Sequence, residues 1–195
     1  MARPEIKEMR REQILDAFEV CVAKYGVEGA TLAKTAEQAG LARPLVRHNV
    51  GNREELINAL VERFLARSRQ EMQAFFDTLP ANDMARSAVD WLFDPQYTDT
   101  QFVQVAYALI TFSAGDAGMA KKMRAWLKNF QESLNNLIVD DFPQADPQSI
   151  SAVSAGIMGI YFNVETLHAI SSPDSLLIPS KKAALILLTS LEAPK

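Results

Sequence analysis

The chain of 195 residues carries 20 Lys and Arg against 24 Asp and Glu, which gives a formal net charge of −4. Its content of 48% hydrophobic and 23% charged residues excludes a disordered chain, and its few glycines (8) and prolines (9) argue against an all-β fold with many turns. The single cysteine, Cys21, excludes an internal disulfide and is typical of a reducing compartment, so we expect a cytoplasmic protein.

Hydrophobic residues recur at helical spacing along almost the whole chain, and no alternating strand pattern interrupts them. Glycine, proline and capping residues divide this pattern into about nine helices, so the predicted fold class is all-α. The predicted helices cover residues 5–25, 32–39, 43–49, 53–78, 83–93, 99–113, 117–139, 147–170 and 180–192. Asn52 and Glu55 have the spacing of a capping box before the fourth helix. Cys21 lies on the hydrophobic stripe of the first helix, which indicates core packing.

The cations of this acidic chain are concentrated near its amino terminus. Residues 1–70 hold 12 Lys and Arg against 10 Asp and Glu, whereas residues 71–195 hold 8 against 14. The amino-terminal part is therefore where a polyanion would bind.

Two short helices joined by a tight turn at Gly40 predict a helix-turn-helix motif over residues 31–50, whose second helix can enter a DNA major groove. On a helical projection of residues 43–50, Val46 and Val50 fall together and should face the core. The outward face then carries the predicted base contacts, which are Arg43, Pro44, Leu45, Arg47, His48 and Asn49. Arg can bond guanine, Asn can bond adenine, and a hydrophobic side chain can cover a thymine methyl group.

Phosphate groups require different partners, which position the protein without reading sequence. Thr31 and Lys34 begin the second helix and Arg53 begins the fourth, where unpaired backbone N–H groups favour an anion. These three residues are the predicted phosphate contacts.

The segment from Arg10 to Phe64 resembles the DNA-binding domain of the TetR family of bacterial transcriptional regulators. The matching features, in chain order, are Tyr25-Gly26, Gly29-Ala30-Thr31-Leu32, Ala36, Gly40 and Gly51-Asn52-Arg53-Glu54-Glu55-Leu56. The resemblance covers residues 8–65 by motif and the remainder by helix number alone. Arg47, Val50, Thr35 and Ala42 depart from the residues common in the family, so the operator sequence does not follow from relatives.

The resemblance implies a DNA-binding domain over residues 1–55 and a helical ligand-binding and dimerisation domain over residues 56–195. It implies a regulator, most simply a repressor, that binds a palindromic operator on double-stranded DNA as a homodimer. A small, mostly hydrophobic effector would release it, and no cofactor or metal is implied. The fourth helix, which would connect the two domains, is the expected lever between them.

The penultimate predicted helix suggests how a dimer would form. One face carries a heptad-like seam of Ile150, Val153, Ile157, Ile160, Val164 and Leu167, and the small residues Ala152, Gly156 and Gly159 lie roughly opposite. We expect a four-helix bundle of the last two helices from each subunit; burial in the chain's own core is the alternative. The uncharged run 147–164 approaches the length of a membrane span, but its polar residues indicate a soluble helix without a membrane partner.

Large aromatic residues are frequent in the carboxy-terminal part, and most are expected to form its core. The resemblance implies an effector cavity among these helices. The candidate lining residues are Trp91, Phe102, Tyr107, Trp126, Phe130, Phe162, Asn163, Glu165 and His168. A single histidine on a helix is more often structural than a ligand contact.

Two other classes of protein are weighed against a regulator. The chain lacks the HExxH, GxSxG, GxGxxG, P-loop and CxxC motifs, so we expect that it is not an enzyme. The alternative to a DNA-binding regulator is a helical protein-interaction module or a small-molecule-binding protein that does not bind DNA. A salt titration of DNA binding separates these classes.

Overall fold

The computed structural model describes residues 3–80, 82–167 and 173–192. These residues form nine α-helices and one short 3-10 helix, and no strand occurs among them. The helices are α1 Arg3–Gly29, α2 Leu32–Ala39, α3 Arg43–Val50, α4 Arg53–Phe76, α5 Met84–Leu92, α6 Thr100–Ser113, α7 Ala117–Asp141, α8 Pro147–Leu167 and α9 Pro173–Thr189, with the 3-10 helix at Pro95–Tyr97. The predicted all-α fold class is confirmed.

The chain forms two compact units. The first unit comprises Met1–Glu71 and Gln101–Met123, and the second comprises Met72–Thr100 and Arg124–Lys195. Residues 1–55, the predicted DNA-binding domain, all belong to the first unit. The division into compact units does not show which residues bind DNA. The predicted division between a DNA-binding domain (1–55) and a ligand-binding domain (56–195) therefore stays a prediction.

Most predicted helix ends agree with the structure within a few residues because local capping signals determine them. In α1, Gly26 has φ 69° and ψ 169°, which breaks the helical path where the sequence predicted its end. Thr31 caps α2, and Gly40 ends it in the left-handed conformation with φ 65°. Glycine reaches this region of φ without a steric penalty, which explains both stops.

The predicted start of the last helix at residue 180 is wrong. Helix α9 begins at Pro173 and continues through Pro179, an exposed residue inside the helix. Proline removes one backbone hydrogen bond and normally bends or breaks a helix, so Pro179 in the sequence predicts a helix boundary at that position. Packing of α9 on α5 and α8, through buried Ala184 and Leu188, outweighs this cost.

Each unit has its own hydrophobic core. In the first unit, the buried residues of α1 and α4 include Ile14, Phe18, Cys21, Val22, Leu56, Leu60, Val61 and Phe64. In the second unit, the core contains Val89, Phe93, Leu134, Ile138, Ile150, Val153, Ile157, Val164, Ala184 and Leu188. The seam of α8 therefore packs within its own chain, and on the opposite face Ala152 and Gly159 are exposed.

Helix α8 is long and hydrophobic enough to cross a membrane by length and composition, with a mean hydropathy of 1.3 over its most hydrophobic 18 residues. A third of those residues are buried in the protein. The core helix of a soluble protein has the same composition, and the packing of Ile150, Val153 and Ile157 agrees with that interpretation.

Candidate functional site

The recognition helix α3 presents one face to the protein and the other to solvent. Val46 is completely buried, as predicted. The side chains of Arg43, Pro44, Leu45, Arg47 and His48 are exposed. Pro44 lies in the first turn, where its missing N–H costs no hydrogen bond. The outward face is thus a surface of long hydrogen-bond donors around a hydrophobic patch, the mixture that base edges in a major groove require.

The end of α3 differs from the projection in two respects. The side-chain amide of Asn49 is half-buried and donates a hydrogen bond of 2.8 Å to the carbonyl oxygen of Leu45. Asn49 would have to release this bond to contact adenine. Val50 is half-buried rather than buried, and it lines an open groove of about 820 Å³ together with Leu15 and Leu56.

Hydrogen bonds at both ends of α2 fix the helix that precedes α3. The N–H of Lys34 donates to the hydroxyl oxygen of Thr31 at 3.2 Å, and the N–H of Leu41 donates to the carbonyl of Ala36 at 2.9 Å. The buried hydroxyl of Thr35 donates to the carbonyl of Thr31 at 2.9 Å. The buried hydroxyl of Thr35 is therefore satisfied within the helix.

A reciprocal capping box positions α4 behind α3. The N–H of Asn52 donates to Oε2 of Glu55 at 2.7 Å, and the N–H of Glu55 donates to Oδ1 of Asn52 at 2.9 Å. Gly51 has φ 76°, and a Cβ atom there would lie 1.8 Å from Oε2 of Glu55. The positive φ favours glycine at this turn, since another residue would be strained there and would also displace the carboxylate of Glu55. The predicted capping box is confirmed.

The three predicted phosphate contacts already have roles within the protein. Thr31 is exposed and caps α2. Nζ of Lys34 donates to the carbonyl of Gly29 at 3.1 Å, and a guanidinium nitrogen of Arg53 donates to the carbonyl of Val27 at 2.5 Å. These two cations thus bond carbonyls of the segment that follows the break at Gly26, and the carbonyl of Gly29 also accepts from the N–H of Thr31 at 3.1 Å. A phosphate contact would add to these roles, and it stays a prediction.

A cationic cluster beside α2 was not predicted from sequence. The ring of Tyr25 is 43% exposed, with Nζ of Lys34 at 4.0 Å and Nζ of Lys24 at 5.1 Å from its centre. Helical periodicity places Tyr25 on the same hydrophobic stripe of α1 as Cys21, but its ring is exposed rather than in the core. The position of Lys24 just before the break at Gly26 could have predicted this cluster, because side chains at the end of a helix can reach the helix that follows.

Acidic residues of α1 hold α4 in place. Arg63 pairs with Glu12, Asp16 and Glu19 at 3.7, 2.5 and 3.6 Å. Glu19 is only 8% exposed and also accepts a hydrogen bond of 3.4 Å from Gln101 at the start of α6. This network fixes α4, and hence the capping box, relative to α1.

The candidate effector residues fall into separate groups. Phe102 belongs to the first unit, where its ring stacks on Phe64 at 4.7 Å and lies 5.1 Å from the guanidinium carbon of Arg67. Tyr107 is a half-buried residue of the same unit. His168 lies outside the described residues.

The remaining candidates lie in the second unit. The ring of Trp91 lies tilted against Phe75, with centres 4.4 Å apart, and stacks on Tyr97 at 5.3 Å. Trp126 and Phe130 each lie 5.9 Å from Phe162. The carboxyl group of Glu165 is buried and accepts a hydrogen bond of 3.4 Å from the hydroxyl of Thr98. Asn163 is exposed and lines a shallow groove with residues of α9, so it is not part of the aromatic packing. No group of three metal-binding side chains occurs in the described part of the chain.

Comparison with known proteins gives a consistent result. No family model matches the sequence. The chain is 26% identical to the HTH-type transcriptional regulator BetI of Stenotrophomonas maltophilia over 138 residues, which cover 70% of this chain and 69% of that regulator. It is 30% identical to the HTH-type transcriptional repressor AcnR of Corynebacterium efficiens over 89 residues, or 46% of this chain. The alignment spans less than half of AcnR, at 44% of its length.

Solved structures share the fold over nearly the whole chain. A TetR transcription regulator from Haloarcula marismortui matches with a TM-score of 0.72 and 13% identity, covering 94% of this chain and 98% of that one. A transcriptional regulator from Rhodococcus sp. Rha1 matches with a TM-score of 0.70 and 17% identity, covering 95% and 99%. These relatives are regulators rather than enzymes, in agreement with the sequence prediction. In sequence the chain is similar to HTH-type transcriptional regulators, and in fold it is similar to TetR-family regulators.

Proposed function

We propose that this protein is a cytoplasmic repressor that binds a palindromic operator as a homodimer and leaves it when a small, mostly hydrophobic effector binds. The observation that carries the proposal is the outward face of α3. Its cationic and hydrophobic side chains are exposed, while Val46 anchors the opposite face. This mixture of long donors and hydrophobic groups on the exposed face of an eight-residue helix is what a base-reading helix requires.

Two glycines of α8, Gly156 and Gly159, have different surroundings, and this difference supports a dimer. A Cβ atom on Gly156 would lie 2.9 Å from Cδ1 of Leu187, so this glycine allows α9 to approach α8 within one chain. A Cβ atom on Gly159 would meet no atom within 4 Å. Glycine costs about 1 kcal/mol relative to alanine inside a helix, and nothing within the described chain compensates that cost at Gly159.

The exposed surface around Gly159 is suited to a second copy of the chain. Gly156, Gly159, Asn163, Pro179 and Ala183 line a shallow groove of about 510 Å³ between α8 and α9. On α9, Ile178 and Ile186 are the most exposed large hydrophobic side chains among the described residues, at 63% and 57%. Small residues on one helix and isoleucines on the other would interlock when two α8–α9 pairs form a four-helix bundle.

A dimer with two-fold symmetry explains why the operator should be palindromic. Two recognition helices in successive major grooves on one side of the duplex lie about 34 Å apart, and each reads the same half-site. An effector that favours a different spacing of the two helices would lower operator affinity. Coupling of this kind amounts to about 1–3 kcal/mol in known systems.

The DNA half of the proposal is tested by selecting bound sequences from randomised duplex DNA. We expect an inverted repeat whose half-site centres are one helical turn apart. Affinity should fall steeply between about 50 and 200 mM salt, since counterions are released as phosphates are neutralised. A direct repeat, or no enrichment above the starting pool, would contradict the proposal and favour a protein-interaction module.

The dimer half is tested by Gly159→Leu, with Asn136→Leu on the exposed surface of α7 as the matched control. We expect Gly159→Leu to form a folded monomer, because the added side chain meets no atom of its own chain. Light scattering after size-exclusion chromatography measures the mass of each variant. A Gly159→Leu protein that stays dimeric at micromolar concentration would place the interface elsewhere.

A further inference from the structure

The cationic cluster beside α2 is built around an aromatic ring. Nζ of Lys34 lies 4.0 Å and Nζ of Lys24 lies 5.1 Å from the ring centre of Tyr25. Tyr25 is 43% exposed, whereas Phe18 and Val22, earlier on the same stripe of α1, are completely buried. The ring of Tyr25 therefore lies at the surface beside two cations instead of in the core.

The chain that follows the break at Gly26 passes close to Tyr25 and fixes the position of Lys34. A Cβ atom on Gly29 would lie 3.0 Å from Cβ of Tyr25, so glycine lets the two backbone segments approach each other. The carbonyl of Gly29 accepts a hydrogen bond of 3.1 Å from Nζ of Lys34, which is half-buried. The ammonium group of Lys34 is thus held by a ring and by a carbonyl oxygen.

The ammonium group of Lys34 retains hydrogen-bonding capacity in this arrangement. It has three N–H donors, of which the carbonyl of Gly29 accepts one and the ring of Tyr25 attracts another. The third N–H can donate to a phosphate oxygen. The hydroxyl oxygen of Thr31 accepts from the backbone N–H of Lys34 at 3.2 Å, so its own O–H can donate to the same phosphate.

The charges around this turn favour an anion. Residues 24–34 together with Arg53, which donates to the carbonyl of Val27, carry three cations and one carboxylate, that of Glu28. Two ammonium groups near one ring repel each other, and the negative charge density on the face of the ring offsets part of this repulsion. A phosphate bound here would offset more of it.

We propose that Tyr25 is a positioning residue for DNA binding, whose ring holds the ammonium group of Lys34 where it bonds a phosphate of the DNA backbone. The inference rests on the proposed function, since it names a residue through which one of the predicted phosphate contacts acts. A long side chain loses rotamer freedom when it binds, and this loss lowers affinity. The ring of Tyr25 and the carbonyl of Gly29 order Lys34 before DNA binds, so most of that loss is absent from the binding step.

The first test asks whether Lys34 contacts a phosphate. Lys34→Gln removes the charge but keeps an N–H donor for the carbonyl of Gly29. The slope of log K for DNA against log salt concentration should fall in magnitude by about 0.9 for each subunit, because a lost phosphate contact releases fewer counterions. Lys128→Gln, at a side chain of the second unit that is 72% exposed, is the matched control and should leave the slope unchanged. Equal slopes for Lys34→Gln and the unaltered protein would overturn the inference.

The second test separates the ring of Tyr25 from its hydroxyl group. Tyr25→Leu removes the ring and should weaken DNA binding at least about fivefold over the two subunits of a dimer. The loss should be equal on the selected repeat and on unrelated DNA, because a phosphate contact reads no sequence. Tyr25→Phe keeps the ring and should bind as the unaltered protein does. Tyr97→Leu, at a 52% exposed ring of the second unit, is the matched control and should change nothing.

A purely structural role of Tyr25 would give a different result. In the Lys34→Gln background, Tyr25→Leu should change DNA affinity by less than about twofold, since no ammonium group remains to be positioned. A fivefold loss that persists in this background would overturn the inference. An equal loss for Tyr25→Phe and Tyr25→Leu would overturn it as well, because the ring would then not be the part that acts.

The proposed function and this inference fail in different ways. If the protein selects an inverted repeat but Tyr25→Leu binds it as tightly as the unaltered protein does, the proposed function stands and this inference is wrong. If the protein binds every duplex alike and the losses at Tyr25 and Lys34 are coupled, the operator-specific function fails and this inference stands. No binding to any duplex would contradict both.

Discussion

The recognition helix α3 and a group of aromatic side chains on α7 and α8 differ in how burial is distributed. We call Trp126, Phe130, Tyr161 and Phe162 the aromatic group. On α3, inward Val46 is buried and outward Arg47 is exposed. In the aromatic group, each ring contacts other rings and also retains accessible surface. Buried and exposed surfaces are thus divided between residues in α3 and combined within single residues in the aromatic group.

This difference explains why the outward face of α3 could be predicted from sequence, whereas the arrangement of the aromatic group could not. Several cations around a hydrophobic patch on one short helix have no packing role, and this combination indicates a partner. An aromatic ring at helical spacing is expected in any hydrophobic core, so its presence indicates nothing more. Substitutions on the outward face of α3 should therefore change binding without changing stability, whereas substitutions in the aromatic group should change stability.

The largest effect is expected from reversing the two faces of α3. Val46→Asp places an unpaired charge in the core and should cost more than about 3 kcal/mol, enough to unfold the helix-turn-helix. Leu45→Asp, on the exposed neighbour, should change stability by less than about 0.5 kcal/mol but should abolish selective DNA binding by repelling phosphates. Thermal denaturation and DNA binding measure both. Similar stabilities for the two variants would contradict the division of faces.

The next effect compares a core ring with a ring of the aromatic group. Phe93→Ala should cost about 3–5 kcal/mol because it empties a buried site. Phe162→Leu, at a half-buried ring, should cost about 1 kcal/mol or less. Chemical denaturation gives the free energies of unfolding. Equal losses for the two variants would contradict the difference in burial between the two rings.

A smaller effect is expected at the capping box. Asn52→Ala should lower the free energy of unfolding by about 1 kcal/mol, because the N–H of Glu55 loses its partner at the start of α4. Asn58→Ala, at an exposed position one turn further along the same helix, is the control and should change stability by less than about 0.5 kcal/mol. Equal effects on urea denaturation would contradict the capping role.

The smallest effect concerns Cys21. Burial raises the pKa of its thiol above the usual value, so the folded protein keeps a proton that the unfolded chain loses above about pH 8.5. The resulting stabilisation is complete below that pH and is lost as the pH rises. Alkylation by iodoacetamide at pH 8 should be slow in buffer and fast in denaturant, whereas rapid reaction in the folded state would contradict core packing.

The parts of the structure that were predictable from sequence are those determined by neighbouring residues. Thr31, Gly40 and the pair Asn52–Glu55 act over three or four positions, and all of them have the predicted geometry. The start of α9 was predicted wrongly from Pro179. Whether a proline ends a helix depends on packing between helices that are distant in sequence. Capping residues and prolines therefore predict helix ends correctly only where no tertiary contact favours a different end.

The functional residues follow the same rule. The exposure of Arg43, Arg47 and His48 could be predicted from helical periodicity. The bond from Arg53 to the carbonyl of Val27 could not be predicted, because the two residues are 26 positions apart and meet only in the folded unit. Replacing Arg53 with alanine therefore changes packing as well as phosphate binding, whereas replacing the exposed Arg47 with alanine should change DNA binding alone.

The central claim is that the outward face of α3 reads bases, and Arg47→Ala tests it most directly. Binding to the selected inverted repeat and to unrelated DNA is measured at one salt concentration, with Arg124→Ala in the second unit as control. Arg47→Ala should lose about 5- to 150-fold in affinity for the selected DNA and less than about threefold for unrelated DNA. Equal losses on both DNAs, or no loss on either, would contradict the account.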